Sequence, residues 1–88
     1  MYIHIGQDML VPRSQIIGVF DLDNTTYSKH TRTFLSRAEK QGLVVNVSED
    51  IPKSFVLCEG DGDVRVFVSQ IASSTIFKRS ESGLQELY

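Results

Sequence analysis

At 88 residues and a formal charge of −2, the chain has room for one small hydrophobic core and not for two. Hydrophobic residues at 41% and charged residues at 23% exclude a disordered chain, while the acidic balance excludes a general nucleic-acid coat and leaves a localised basic patch as the route to a polyanion. No apolar run approaches the ~18 residues of a membrane span and the N-terminus lacks the order of a secretory signal, so the expected location is the cytoplasm, with no membrane partner.

Tyr2-Ile3-His4-Ile5 alternates as a strand, Gly6-Gln7-Asp8 supplies turn residues, and Met9-Leu10-Val11 resumes the strand, which predicts a hairpin. Pro12 ends it, leaving Arg13-Ser14-Gln15 as an exposed polar loop that presents Arg13 to solvent. The β-branched run Ile16-Ile17-Gly18-Val19-Phe20 reads as a central strand covered on both faces, and Asp21-Leu22-Asp23-Asn24-Thr25 breaks it.

An amphipathic helix is expected from about Ser28, as cap, to Gly42, as left-handed terminator. At ~100° per residue Thr31, Phe34, Leu35 and Ala38 share the core side, with Lys29, Arg32, Arg37 and Lys40 opposite. Leu43 to Val47 is a further strand, followed by a turn carrying Pro52 and Lys53. Ser54 to Cys58 and Val64 to Ser69 flank the glycine-rich loop Glu59-Gly60-Asp61-Gly62-Asp63 and should pair antiparallel. Ser73 or Ser74 can cap a short last helix through Lys78 and Arg79.

The expected fold is therefore α+β and mainly β: a small antiparallel or mixed sheet, one principal helix and a short C-terminal helix. It forms a single domain over residues 1–80, with 81–88 as a loose tail. Val64, Val66 and Val68 point to one face and Phe67 to the other, and one helix cannot cover both sides of a sheet. A homo-oligomer that buries the second face is the expected consequence. No cofactor or metal is called for: His4 has no second ligand near it, and the single cysteine, Cys58, lies in an apolar strand as a small hydrophobe.

Two patterns bear on function. Val19-Phe20-Asp21-Leu22-Asp23-Asn24-Thr25 is an apolar strand running into D-x-D-x-T, and it resembles the nucleophile motif of haloacid-dehalogenase-type phosphatases. There the first Asp attacks phosphorus and the second moves the proton, roles that would fall on Asp21 and Asp23. That likeness covers seven residues, in a chain too short for the doubly wound sheet that delivers the rest of such a site. Asp61 and Asp63 could imitate the distal acids, although a hairpin loop accounts for them. No enzyme activity is expected.

The second pattern spans most of the chain. Tyr2–Gly6, Met9–Pro12, Gln15–Asp21, Lys40–Val47, Pro52–Val56 and Ser69–Ile71, in that order, resemble the RemA/RemB family of small bacterial extracellular-matrix regulators, nearest its RemB branch. The resemblance implies a ring-like homo-oligomer that binds promoter DNA and regulates transcription of matrix and biofilm genes. In the RemA branch DNA contact is ascribed to arginines in the loop after the first hairpin and in the turn after the post-helix strand. This chain has Arg13 near the first place and Lys53 alone at the second, within Glu49-Asp50-Ile51-Pro52-Lys53. The expected phosphate contacts are Arg13 and Lys53, with Lys29 and Arg32 of the helix. The alternative is an oligomeric protein–protein interaction module without DNA binding, which the acidic second half favours.

Overall fold

A computed structural model describes residues 1–22 and 29–85. Its elements are β1 (Tyr2–Gly6), β2 (Met9–Pro12), a 3-10 turn (Arg13–Gln15), β3 (Ile16–Asp21), α1 (Lys29–Lys40), β4 (Val44–Asn46), β5 (Ser54–Gly60), β6 (Asp63–Ser69) and α2 (Ser73–Gln85). The expected α+β, mainly β architecture is present, with two sheets and two helices.

β5 and β6 form the centre of a four-stranded sheet of order β3-β5-β6-β4, and their turn shrinks to two residues, because Asp61 (φ 55°) and Gly62 (φ 82°) both adopt the left-handed backbone that a tight hairpin with native twist requires. β3 adds antiparallel to the outer edge of β5, and β4 adds parallel to β6. The run Ile16 to Phe20 is therefore an edge strand and not the central one expected from its composition; Ile17 is 58% and Phe20 44% exposed. A β-branched apolar run states that a strand wants partners, not how many it finds.

The strand covered on both faces is β5. Val56 and Cys58 face a core built with Ile3, Ile5 and Val11 of the β1–β2 hairpin and Ile76 of α2. Phe55 faces the other way, packing with Ala38 of α1 and Val66 of β6, while Leu35, Leu43 and Val68 close around them. The sheet face expected to lie open for a partner is thus occupied by the hairpin and α2, which makes three layers from a chain of this size.

Polar residues lock the layers at one end of the sheet. Ser54 and Ser69 are cross-strand partners and both are buried. Ser69 Oγ donates to the Ile5 carbonyl at 2.6 Å and accepts from the Ile71 amide at 2.9 Å, and Ser54 Oγ donates to the Ile71 carbonyl at 2.7 Å. These bonds fasten β1 and the approach to α2 onto the sheet.

The helix ends match the sequence pattern in part. α1 closes as predicted: the Leu43 amide reaches the Ala38 carbonyl at 2.9 Å and the Gly42 amide the Glu39 carbonyl at 3.0 Å, with Gly42 at φ 72°. The expected cap, Ser28, lies outside the described residues, as do Asp23, Asn24 and Thr25. α2 is not short: it runs to Gln85, into the stretch expected to be loose, and Ser73 is already its first helical residue, so the capping position falls on Ala72.

Candidate nucleic-acid interface

The four cations expected to meet phosphate do not form one patch. Arg13 opens the 3-10 turn that leads into β3, whose first residue pairs with Cys58, whereas Lys53 directly precedes Ser54, which pairs with Asp21 at the other end of β3. The length of β3 separates them, roughly 20 Å at about 3.3 Å per residue. Arg13 is also half-buried, not presented to solvent: its Nε donates to the Ser80 carbonyl of α2 at 3.1 Å. That bond assigns Arg13 a share in docking α2. Arg79, one residue earlier on α2, donates in the same way to the His4 carbonyl at 3.0 Å and lies 3.2 Å from His4 Nδ1.

Lys53 is exposed, and its backbone is pinned on both sides, its amide to the Ser69 carbonyl at 2.8 Å and its carbonyl to the Leu22 amide at 2.7 Å. Its side chain is thus carried by a fixed main chain at the sheet end. Glu49 and Asp50 on the same connection are exposed too, and Ile51 is 83% exposed.

Lys29 and Arg32 belong to a larger feature. On the outer side of α1, Lys29, Arg32, Arg37 and Lys40 surround a shallow groove of about 360 Å³ whose remaining lining is Thr33 and Ser36. Charge alone does not pick out these two hydroxyl residues in the sequence. Their spacings from Lys29, four and seven residues, are sufficient to place them on that face. The inner side of α1 buries Ala38 and lays Phe34 over the sheet, its ring 6.2 Å from that of Phe55, which stacks on Phe20 at 4.7 Å and 16°. The helix is held by that side, and the cationic side is left outward.

Among the described residues, the acids considered for phosphoryl chemistry lie at two ends of the sheet. Asp21 ends β3 opposite Ser54, while Asp61 and Asp63 lie at the far end of β5, in the turn and at the start of β6. Burial raises the Cys58 thiol from its ordinary 9.0 to about 11, so it stays protonated at neutral pH and is a poor nucleophile. Among the described residues no helix is long and apolar enough to cross a membrane.

The described residues thus form a small mixed sheet packed between a hairpin and two helices, with one cationic helix face. The sequence profile of the RemA-like family, described as extracellular matrix regulatory protein A-like, matches residues 2–79, and the chain belongs to that family. It is 33% identical over 81 residues, 92% of this chain and 91% of the relative, to extracellular matrix regulatory protein B of Bacillus subtilis (strain 168). The resemblance read from the sequence is confirmed on both counts.

Proposed function

We propose that the chain is a non-enzymatic regulator of extracellular-matrix genes that binds promoter DNA through phosphate contacts repeated around a homo-oligomer. Membership of the RemA-like family supports the regulatory role. The observation that carries DNA contact is the segregation of charge: in a chain of net charge −2, four cations line one exposed face of α1. A few cations per subunit bind weakly, but their repetition along one backbone raises the effective concentration of each contact, so affinity grows with assembly and falls steeply with salt. A mobility-shift titration of the intact protein against matrix-operon promoter DNA at rising salt tests this. Binding at low salt, with log K falling linearly in log salt, is expected; no binding at low salt would overturn it.

A second reading, an interaction module for another protein, draws on a different surface. Ile17 and Phe77, both more than half exposed, line a depression of about 220 Å³ with Val19 at the edge of the sheet. The same apolar surface serves self-association in the first reading.

A further inference from the structure

We propose that this chain holds the phosphate backbone of duplex DNA in the groove on the outer face of α1, rather than on its loops. The inference rests on the DNA-binding reading above and names the surface that does the binding.

At ~100° per residue, Ser36, Lys29, Lys40 and Thr33 fall within about 60° of one another around the helix axis, with Arg32 on one flank and Arg37 on the other. The stripe is about 16 Å long at about 1.5 Å per residue, and a DNA strand presents a phosphate about every 3.4 Å of axis, so roughly five phosphates lie within its reach. The groove has small hydroxyl side chains in its middle and long cationic ones around them. A phosphate oxygen entering between the arms meets the Thr33 or Ser36 hydroxyl as donor, while the planar guanidinium of Arg37 can hold two oxygens at once.

The composition of this face also costs the helix something. Lys29 and Arg32 occupy the first turn, where the helix dipole favours acids and where this helix has none. Like-charged neighbours three residues apart, Arg37 with Lys40, repel where a solubilising face would alternate signs. Glu39 is the single acid on α1. A bound polyanion relieves that repulsion.

The loop cations are less well placed for the same task. Arg13 is committed to the Ser80 carbonyl, and Lys53 shares its connection with Glu49 and Asp50.

The test uses a labelled duplex DNA at low salt with three variants of the full chain. Arg37→Gln with Lys40→Gln removes two cations and keeps good helix formers; Ser36→Glu leaves every cation but places an anion in the groove; Lys53→Gln removes the loop cation. Circular dichroism establishes that each folds. At least tenfold weaker binding for the α1 double variant and for Ser36→Glu, with Lys53→Gln within about threefold of the parent, is the expected result. The salt slope of the double variant should also become shallower, by about 0.9 for each phosphate it no longer neutralises. If the parent binds DNA and both α1 variants bind like it, this inference is overturned and the DNA-binding reading stands; if the parent does not bind, both are overturned. Anionic phosphatidylserine vesicles form a separate arm: binding to them but not to DNA, lost in the α1 variants, would make the groove a lipid-headgroup site and overturn the assignment to DNA.

Discussion

Ser69 does two jobs with one hydroxyl, donating to the Ile5 carbonyl and accepting from the Ile71 amide in a fully buried setting. Ser69→Ala removes both of these bonds, and the expected loss is about 2 kcal/mol, seen as a lower urea midpoint at unchanged m-value. Cys58 is the residue where pH should register. Its folded pKa of about 11 exceeds the ordinary 9.0, so between those values the unfolded chain gives up the thiol proton while the folded chain keeps it. The folded state then binds more protons, and stability falls as pH rises through that window. Urea titrations from pH 8.5 to 11 should show the decline, at most about 3 kcal/mol from this group, and Cys58→Ala should flatten it. At neutral pH the native thiol should resist iodoacetamide and react only on unfolding.

At the scale of elements, the close of α1 is set by backbone conformation more than by packing. A Cβ at Gly42 would meet nothing within 4 Å, so Gly42→Ala has no clash to relieve and bears only the strain of the left-handed φ of 72°. The expected cost is about 1 kcal/mol, with helix content otherwise retained, measurable by thermal melting followed at 222 nm. Gly18 behaves differently. Its extended backbone tolerates a side chain, but a Cβ there would stand 2.9 Å from the Phe20 ring, which covers the glycine and stacks on Phe55. Any larger residue at Gly18 must displace that ring, and with it the aromatic contact through Phe55 to Phe34 of α1.

For the whole molecule, the covering of both sheet faces changes the reason to expect assembly. The motive is no longer an open sheet face but the edge: among the described residues β3 pairs with β5 alone, and Ile17 and Phe77 stand exposed beside Val19. A closed oligomer that buries this strip is expected, and light scattering should give a mass several times 9.9 kDa. Ile17→Asp with Phe77→Asp should shift the mass toward the monomer without changing the circular dichroism spectrum. A stable monomer of the parent at micromolar concentration would remove the basis for repeated DNA contacts.

Local patterns determined much of this protein. The helical period of residues 29–40, the glycine that ends α1, the hairpin of β5 and β6 and the cationic side of the helix follow from spacings within a dozen residues, which is the range over which periodicity and backbone preference act. The family was readable as well, from segments spread along the chain. Only the tertiary structure decided which strand is central, because Ile16 to Phe20 and Ser54 to Cys58 carry similar apolar content and differ in neighbours found far away in sequence. It also decided that the β1–β2 hairpin and α2 cover the second face, and that Arg13 bonds the Ser80 carbonyl across 67 positions of chain while Lys53 stands at the opposite end of the sheet. Charge is written in a residue's type, but whether that charge meets solvent or a distant carbonyl depends on which elements pack together.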